Sequence, residues 1–328
     1  MKRVTIYDVA HEAKVSLATV SRVINGSDVV KGNTRQRVEE AIEKLGYKPN
    51  AIAQGLALSK TTMIALVIPE ASFTYTGQII NGLLDVAKID KYNVMLHTTT
   101  EGINEISDII ENIIKSRVDG VIIYNDRLTD AELDQLTQYN IPIVIVGNRM
   151  VSKTISSVYV DIEKAVFELV TKYLETDVRD IAIIQDRKNN NQIDLMIKGA
   201  EKAFAAKGLE FNNFITIPSE FRTSYQYLSR YFKDHRHGLI IANRDSQALA
   251  ILNAARENGI SVPDEMEVVC VIDTKYNSMF RPQVSSFAIP SYDLGSVSMR
   301  VMTKMLNHAQ EGKAIELSYL FTPRQTTK

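Results

Sequence analysis

Short apolar runs alternate with amphipathic stretches from residue 61 to the end of the chain. The runs have at most seven residues, and segments such as IINGLLDVAKI and EISDIIENIIKS lie between them. This alternation predicts β-α-β units with parallel sheets, and its restart after Asp161 indicates two doubly wound lobes. The predicted strands are 63–69, 93–97, 118–124, 141–147, 180–186, 214–219, 238–243 and 267–273.

The loop after the first predicted strand lacks a phosphate-binding motif. It reads VIPEASFTYTG, which is neither G-x-G-x-x-G nor G-x-x-x-x-G-K. The glycines of those motifs let backbone N–H groups approach phosphates closely. A nucleotide-dependent enzyme is therefore disfavoured.

Composition indicates an ordinary globular protein. The chain has 328 residues, of which 45% are hydrophobic and 23% charged, enough for two or three domains. No apolar stretch approaches the roughly 18 to 20 residues needed to cross a bilayer, and Asp8, His11 and Glu12 interrupt any signal-peptide core. The single cysteine, Cys270, excludes an intrachain disulfide. We expect a soluble, cytoplasmic protein with no metal, cofactor or membrane partner.

Charge is unevenly distributed. Residues 1–60 carry ten Lys and Arg against six Asp and Glu, a net +4, whereas the remainder carries 28 against 33, a net −5. A basic segment joined to an acidic body suggests that the N-terminal part meets a polyanion.

Two short helices are predicted near the N-terminus. Thr5 is suited to cap the first, with Asp8 as its reciprocal acid, and Ser16 is suited to cap the second. The second helix is predicted to run to about Asn25-Gly26. Two such helices joined by a three- or four-residue turn are the helix-turn-helix signature, in which the second helix enters the DNA major groove.

The second helix offers side chains that could read DNA. If its apolar stripe faces inward, the outward face carries Leu17, Ala18, Ser21, Arg22 and Asn25. Arg22 has the donor fork that pairs with guanine, and Leu17 and Ala18 could contact thymine methyl groups. The alternative for Arg22 is a solvated surface arginine. The side chains better suited to phosphates are Ser16, Thr19 and Asn25, with Thr5 or Tyr7 at the start of the first helix.

A third helix is predicted from about Gly32 to Leu45, with Gly46 as its stop. Pro49 forbids its continuation, and the run AIAQGLALS at 51–59 follows. That run is too short to be a stable helix alone, and we expect it to fold only when another surface orders it.

The segments TIYDVAHEAKVSLATVSRVING and TRQRVEEAIEKLGYKPNAIAQGLA resemble the DNA-binding headpiece of the LacI/GalR family of bacterial transcription regulators. The likeness runs through residues 4–58, and IYDVA, ATVSRV, LGYKPNA and GLA are similar to the catabolite-regulating subgroup. It implies that Leu17, Ala18 and Arg22 contact major-groove bases. It also implies that Asn25, with Thr5 or Tyr7, contacts phosphates.

The resemblance further implies a hinge helix at residues 49–60. The resemblance implies that Asn50 also contacts DNA. It implies that the hinge helices of two subunits enter the minor groove, where Leu56 inserts into the central base step and Ala53 packs beside it. The alternative is that Leu56 is a linker residue whose side chain packs against the region 61–328. Gln54 stands where the subgroup usually has a basic residue, and weaker phosphate binding is expected there.

Residues 61–328 resemble the periplasmic-binding-protein-like core of the same family, most clearly over 281–307. The expected fold is α/β: a three-helix headpiece at 1–48, the hinge helix, and then two lobes of doubly wound parallel sheets for regulation and dimerisation. The expected DNA-proximal lobe is about 61–160 and 291–321, and the distal lobe about 161–288 and 322–328. Dimerisation through both lobes would place two headpieces on a palindromic operator in double-stranded DNA.

The resemblance also implies a protein corepressor, serine-phosphorylated HPr, which docks on the DNA-proximal lobe in the catabolite-regulating subgroup. The matching residues are Tyr292, Asp293, Arg300 and Lys304. Arg300 and Lys304 are four residues apart on one predicted helix, so both cations could face one phosphate; the alternative is a solvated basic face. Asp90 stands where the subgroup has a tyrosine, and an acid close to the phosphate would repel it.

A sugar or sugar-phosphate effector is the alternative to HPr. Sugar-responsive family members carry an arginine on the first helix of the distal lobe and an aspartate before the RP segment. Here that helix, NNNQIDLMIKGAEKAF, has Lys198 and no arginine, and VIDTKYNSMF leaves open whether Asp273 occupies the family's position. Induction by sugars is therefore disfavoured.

No residues form a candidate catalytic site. His235 and His237 form an H-x-H pair that no further ligand completes, and DHRHG is typical of a solvated loop before a strand. Cys270 lies in the apolar run EVVCVID, which favours a core hydrophobe over a nucleophile. We expect a homodimeric, sequence-specific transcription regulator, a repressor or catabolite regulator of carbohydrate genes. A stand-alone small-molecule binding protein is the distant alternative.

Overall fold

Three helices precede a long α/β region. The structure is a computed structural model and describes residues 4–48, 60–69, 74–99, 106–124, 130–186 and 191–328. The chain divides into two compact units, the first ending at Thr62 and the second beginning at Met63. The α/β fold predicted from the sequence is confirmed.

The N-terminal unit consists of α1 (Ile6–Ala13), α2 (Leu17–Ile24) and α3 (Gly32–Leu45). Their apolar faces meet in a small core centred on Val9, Val20 and Val38, which have no exposed surface. Gly46 ends α3 with a φ of 60°, a left-handed conformation that favours glycine.

Both predicted N-caps of this unit are present. The Asp8 carboxylate accepts hydrogen bonds from the backbone N–H and the hydroxyl of Thr5, each at 2.7 Å. The Ser16 hydroxyl accepts from the backbone N–H of Thr19 at 3.2 Å. These side chains satisfy N–H groups that a helix start leaves without partners, and they fix the turn between α1 and α2.

Two sheets of six strands build the second unit. The strands are β1 (Met63–Ile68), β2 (Asn93–Thr98), β3 (Gly120–Ile123), β4 (Ile143–Val146), β5 (Ile155–Tyr159), β6 (Ile181–Asp186), β7 (Phe214–Ile217), β8 (Leu239–Ala242), β9 (Glu267–Cys270), β10 (Ser285–Ala288), β11 (Ala314–Glu316) and β12 (Leu320–Thr322). The first lobe has the strand order β11-β5-β4-β3-β1-β2, and the second lobe has β12-β10-β9-β8-β6-β7. Every pair is parallel except β10–β12.

Helices cover both faces of each sheet, as parallel sheets require. They are α4 (Thr74–Ile89), α5 (Ile106–Lys115), α6 (Asp130–Gln138), α7 (Ile162–Glu175), α8 (Asn191–Ala206), α9 (Phe221–Tyr231), α10 (Asp245–Glu257), α11 (Lys275–Met279) and α12 (Ser291–Leu306). The chain passes between the lobes three times, after β5, after β10 and after β11.

Helices α4 and α12 pack backbone against backbone in the first lobe. A Cβ added at Gly82 would overlap the carbonyl oxygen of Tyr292, and one added at Gly295 would overlap the carbonyl oxygen of Ile79. Two glycines therefore bring the helices together with no side-chain layer between them at these crossings.

Four strands were missed by the sequence prediction. In β5, the buried Ser156 and Ser157 interrupt the apolar pattern. The edge strands β11 and β12 have only three residues each, and β10 begins with two buried serines. Because pairing with neighbouring strands, rather than apolar content, defines these four, hydrophobic patterning did not detect them.

Candidate nucleic-acid interface and regulatory surfaces

Helix α2 presents the predicted base-reading side chains to solvent. Leu17, Ala18, Arg22 and Asn25 are exposed, whereas Val20 and Val23 on the opposite side are buried. The Arg22 side chain makes no hydrogen bond or ion pair with the described residues, and its exposed guanidinium is available to an external acceptor. This face can supply both a donor fork and apolar contacts to base edges.

Most of the predicted phosphate-contacting side chains lie at the starts of α1 and α2. The Ser16 and Thr19 hydroxyls bond each other at 2.9 Å, and Thr5 is bonded to Asp8. Tyr7 is 68% exposed and projects from the first turn of α1. Asn25 is the C-cap of α2, and its amide donates to Ser21 at 3.4 Å. The capping hydrogen bonds fix Thr5, Ser16 and Thr19 at the starts of α1 and α2, whereas Asn25 lies at the end of α2.

Two arginines of α3 hold the ends of the other helices, a role that sequence analysis missed. Arg37 donates to the carbonyl oxygens of Ala13 and Lys14 at the end of α1. Arg35 donates to the carbonyl oxygen of Ser27, just after α2, at 2.7 Å. Cations near the final carbonyls of a helix are favourable. The sequence contained one signal for this role: two basic residues lie near the N-terminus of α3, where the helix dipole disfavours positive charge.

An ion pair also joins α1 to α3. Lys44 Nζ lies 2.7 Å from Glu12 Oε1. The hydrogen bond from Lys44, followed by its charge, holds the pKa of the Glu12 carboxyl below its usual value. The predicted hinge residues Asn50, Ala53 and Leu56, together with Gln54, lie outside the described residues.

Helix α12 carries the predicted corepressor residues on its exposed side. Tyr292, Asp293, Arg300 and Lys304 are all exposed. The Tyr292 hydroxyl donates to Asp85 of α4 at 2.8 Å, a bond that raises the pKa of the tyrosine, while the positive charge of Arg300 opposes this shift. The two cations on the last turns of α12 form a small positive surface.

Asp90 lies against the same part of α12. Its carboxylate accepts a hydrogen bond at 2.8 Å from the hydroxyl of Thr303, which lies between Arg300 and Lys304 in the helix. The acid identified in the sequence therefore contacts the same two turns of α12 that carry the proposed phosphate-binding cations.

A cleft of about 510 Å³, including its open mouth, lies between the lobes. Tyr75, Tyr124 and Asn148 line it from the first lobe, and Ile272 from the second. These residues sit at or beyond the carboxyl ends of parallel strands or at helix starts, where α/β folds bind ligands.

Two carboxylates at the corresponding edge of the second lobe bind arginines. Asp273 makes a bidentate ion pair with Arg324, at 2.7 and 3.1 Å. Asp186 Oδ2 accepts from Arg244 at 2.9 Å, and both side chains are largely buried. Asp273 thus faces Arg324, while its neighbour Ile272 lines the cleft.

The prediction that DHRHG is a solvated loop is wrong for His237. That side chain is 7% exposed, and its ring nitrogens lie 2.8 Å from the Asp180 carboxylate and 2.8 Å from the Tyr231 hydroxyl. Both ring nitrogens have hydrogen-bond partners on other elements, and for this reason the polar ring can be buried. His235 remains exposed and stacks on Tyr231 with ring centroids 4.2 Å apart.

Cys270 is fully buried, as predicted for a core hydrophobe. Burial raises the pKa of its thiol, and this disfavours the nucleophilic thiolate. No group of three or more His, Cys, Asp or Glu side chains in the described ranges could hold a metal ion. Within the same ranges, no helix has both the length and the apolar character of a bilayer span.

Comparisons with known families match both parts of the chain. The family described as "Bacterial regulatory proteins, lacI family" matches residues 5–50, and the "Periplasmic binding protein-like domain" matches residues 170–327. Catabolite control protein A of Priestia megaterium is 32% identical over 333 residues, and that of Staphylococcus xylosus is 34% identical over 330 residues. In both cases the match covers 99% of this chain and 99% of the relative.

Solved structures show the same fold. The lac repressor dimer bound to operator and the anti-inducer ONPF matches with a TM-score of 0.84 and 22% identity, covering 99% of each chain. The transcription regulator CcpA of Lactococcus lactis matches with a TM-score of 0.71 and 23% identity, covering 81% of this chain and 99% of that chain.

A helix-turn-helix unit with an exposed second helix, followed by two doubly wound parallel lobes around a cleft, defines a DNA-binding transcription regulator rather than an enzyme. The chain belongs to the LacI family of bacterial regulatory proteins, and it is a full-length homologue of catabolite control protein A.

Proposed function

We propose that this chain controls carbohydrate genes as a homodimer bound to a palindromic operator, and that serine-phosphorylated HPr strengthens the binding. The exposed face of α2 carries the DNA-binding part of the proposal. Leu17 and Ala18 offer apolar contact to thymine methyl groups, and Arg22 offers a bidentate donor to guanine. Ser16, Thr19 and Asn25, with Thr5 or Tyr7, position the helix through phosphates.

A homodimer explains the exposed apolar side chains of both lobes. Leu84, Ile89 and Leu96 lie on α4 and on the edge strand β2 of the first lobe, with exposures between 43% and 77%. Tyr276 and Met279 of the second lobe are 41% and 61% exposed. These exposed apolar side chains on both lobes support the proposal that both lobes contribute to the dimer interface. Two headpieces then read two half-sites, while Asn50, Ala53 and Leu56 of each hinge would act in the minor groove between them.

The corepressor part of the proposal rests on the cations of α12. Arg300 and Lys304 are exposed at i and i+4, a spacing that lets both bind one phosphoserine. Tyr292 and Asp293, also exposed, lie at the start of the same helix and would contact the protein around the phosphate. Full-length similarity to catabolite control protein A supports this assignment over a solvated basic face.

Fluorescence anisotropy on a palindromic duplex, with and without serine-phosphorylated HPr, tests the proposal. Tighter binding with the phosphoprotein, and not with unphosphorylated HPr, is expected. The double variant Arg300→Ala, Lys304→Ala should lose the gain in operator affinity that phosphorylated HPr gives. This loss would assign HPr binding to the exposed face of α12. If the chain binds the duplex but HPr has no effect on the affinity, the corepressor part of the proposal is wrong and the DNA-binding part stands.

A second candidate is a repressor that responds to a small molecule, for which sugars and sugar phosphates are the classes suggested by the family. The cleft between the lobes favours it, since a ligand that touches both lobes biases their relative angle. A change in operator affinity with a small molecule in the absence of HPr would support this candidate.

A further inference from the structure

We propose that Tyr231 is a modification site, at which an acyl phosphate esterifies the phenol while His237 takes the phenolic proton. This inference goes beyond the proposed function and does not depend on it. It rests on one hydrogen-bonded row of three side chains in the second lobe: the carboxylate of Asp180, the imidazole of His237 and the phenol of Tyr231.

The starts of neighbouring strands bring the acid and the imidazole together. Strand β6 pairs with β7 on one side and with β8 on the other, and all three are parallel, so they begin at one edge of the sheet. Asp180 directly precedes β6, and His237 lies two residues before β8. The Asp180 carbonyl oxygen accepts from the backbone N–H groups of Gly238 and Leu239 at 2.9 and 3.1 Å. The backbone therefore fixes the acid relative to the imidazole.

The hydrogen bonds assign the tautomer of His237. Its Nδ1 atom lies 2.8 Å from Asp180 Oδ1, and an ionised carboxylate can only accept, so Nδ1 carries the proton. The Nε2 atom then has a lone pair and accepts from the Tyr231 hydroxyl at 2.8 Å. Asn213 Nδ2 donates to Asp180 Oδ1 at 3.1 Å and helps to hold the carboxylate, while its separation of 3.4 Å from Nδ1 is too long to compete.

The phenol and the imidazole are nearly coplanar. Their rings meet at an interplanar angle of 7°, so the Tyr231 hydroxyl can donate along the lone pair of Nε2, in the plane of the ring. A hydroxyl nucleophile, a base and an acid that orients the base stand in this order in enzymes that form esters on their own side chains. Burial, with the neighbouring Tyr227 and Asp180, raises the pKa of Tyr231. The phenolic proton must therefore leave during the attack, and His237 is placed to take it.

A small acyl donor can approach this row from solvent. Tyr231 is half-buried and the Asp180 side chain is 54% exposed, whereas His237 is 7% exposed. Phenolate is a strong base, so a phenyl ester forms only from a donor whose leaving group is a much weaker base. Phosphate meets this requirement, and the amine released from an amide does not. The donor class is therefore the acyl phosphates.

The step balances without an oxidant or a reductant. The phenolic oxygen of Tyr231 attacks the carbonyl carbon of the acyl phosphate, and the bond from that carbon to the phosphate oxygen breaks with its electron pair. His237 Nε2 takes the phenolic proton, and the imidazolium next to Asp180 then releases a proton to solvent. The products are a tyrosyl ester and inorganic phosphate. Because the ester has no O–H group, it removes the hydrogen bond that joins the end of α9 to His237.

Incubation of the full chain with acetyl phosphate, followed by peptide mass spectrometry, tests the proposal. Hydroxylamine cleaves acetyl esters of tyrosine but not acetyl amides of lysine, so treatment with it after labelling identifies the esters. We expect Tyr231 to be labelled faster than Tyr227 by about tenfold or more. Tyr227 is the internal control, because it lies on the same helix, is 41% exposed and bonds no histidine among the described residues. Equal or slower labelling of Tyr231 overturns the proposal.

Variants of the two histidines separate a base from a neighbour. His237→Gln removes the base and should slow the labelling of Tyr231 by about tenfold or more. His235→Gln is the matched control: that exposed ring stacks on Tyr231 with centroids 4.2 Å apart, but its Nδ1 atom contacts the backbone carbonyl oxygen and not the hydroxyl. It should leave the labelling rate unchanged. Wild-type labelling in His237→Gln, or an equal loss in both variants, overturns the proposal.

A variant of the acid keeps the test decisive if the buried substitution destabilises the chain. Asp180→Asn changes a half-exposed side chain that can still accept from Nδ1 but has no charge to stabilise an imidazolium. It should slow the labelling of Tyr231 without changing that of Tyr227 or the thermal midpoint. Unchanged labelling of Tyr231 in this folded variant contradicts the proposal.

Discussion

The Thr303 hydroxyl donates a hydrogen bond of 2.8 Å to the Asp90 carboxylate, and this bond joins α12 to the residue that follows α4. Thr303 precedes Lys304 in the helix, and we therefore expect the Asp90 carboxylate to contribute negative charge near a phosphoserine bound by Arg300 and Lys304. In partly exposed positions such a charge changes binding modestly, because solvent screens it.

Asp90→Asn should therefore strengthen binding of serine-phosphorylated HPr, by about two- to fivefold at low salt. Asparagine retains an oxygen that accepts from Thr303, so the packing of α12 is preserved. Surface plasmon resonance of the variant against the phosphoprotein measures the change. Asp108→Asn, at an exposed position of α5, is the matched control. Equal affinities of the wild type and Asp90→Asn would show that the phosphate lies away from Asp90.

Arg22 is expected to read a base. Arg22→Ala should cost roughly 1 to 3 kcal/mol on the specific operator and much less on nonspecific DNA. Arg22→Lys keeps the charge but loses the planar fork, and it should behave like the alanine variant on the operator. Anisotropy titrations on both duplexes separate the roles. A lysine variant with wild-type operator affinity would make Arg22 a phosphate contact.

Arg37 of α3 should stabilise the helix-turn-helix unit through its hydrogen bonds to the end of α1. Arg37→Ala removes the donor to the last carbonyls of α1 and should destabilise this unit by about 1 kcal/mol. Amide hydrogen exchange by mass spectrometry, on the full chain, should show faster exchange over residues 6–24. Gln36→Ala is a control on the same helix, since Gln36 bonds only Glu40 among the described residues. Similar exchange rates in the two variants would show that the hydrogen bonds of Arg37 do not stabilise this unit.

Gly295→Ala should destabilise the first lobe because the added Cβ overlaps the carbonyl oxygen of Ile79. Overpacking of this kind costs about 1 to 3 kcal/mol or more when backbone must move. Gly77→Ala, on α4, meets nothing within 4 Å and should be neutral or stabilising by up to about 1 kcal/mol. Thermal unfolding of both variants tests the close packing. A midpoint for Gly295→Ala at or above that of Gly77→Ala would argue against it.

Stability should fall as the solution becomes acidic, in part through His97. Burial lowers the pKa of its imidazole below the ordinary value of 6.5, and the Nε2 atom has no hydrogen-bond partner among the residues that the structure describes. Below that value the unfolded chain takes up a proton that the folded chain binds less readily, so stability is lost as pH falls. His97→Gln should flatten the decline in thermal midpoint between about pH 7.5 and pH 5.5. The exposed His308→Gln is the control; a slope that neither substitution alters would exclude His97 as a source.

The sequence was sufficient wherever short-range chemistry determines structure. Caps such as Thr5 and Ser16 and the stop at Gly46 act within a few residues, and α3 therefore begins and ends where the pattern predicts. The same reasoning failed for His237, whose partner Asp180 is 57 positions away. It also could not show that Ile272, and not Asp273, lines the cleft, because Arg324 at the far end of the chain draws the acid away.

The glycine crossings of α4 and α12 have a mechanical consequence. Tyr75 and Ser291, near the N-terminal ends of these helices, line the cleft. Asp90, just past the end of α4, and Lys304 of α12 lie near the other ends of the two helices, where we propose that the corepressor binds. Because these backbones are in direct contact, we expect the two helices to move together as one rigid pair. A small molecule at one end and a phosphoprotein at the other would act on the same rigid element, and each would change the affinity of the chain for the other by an equal factor.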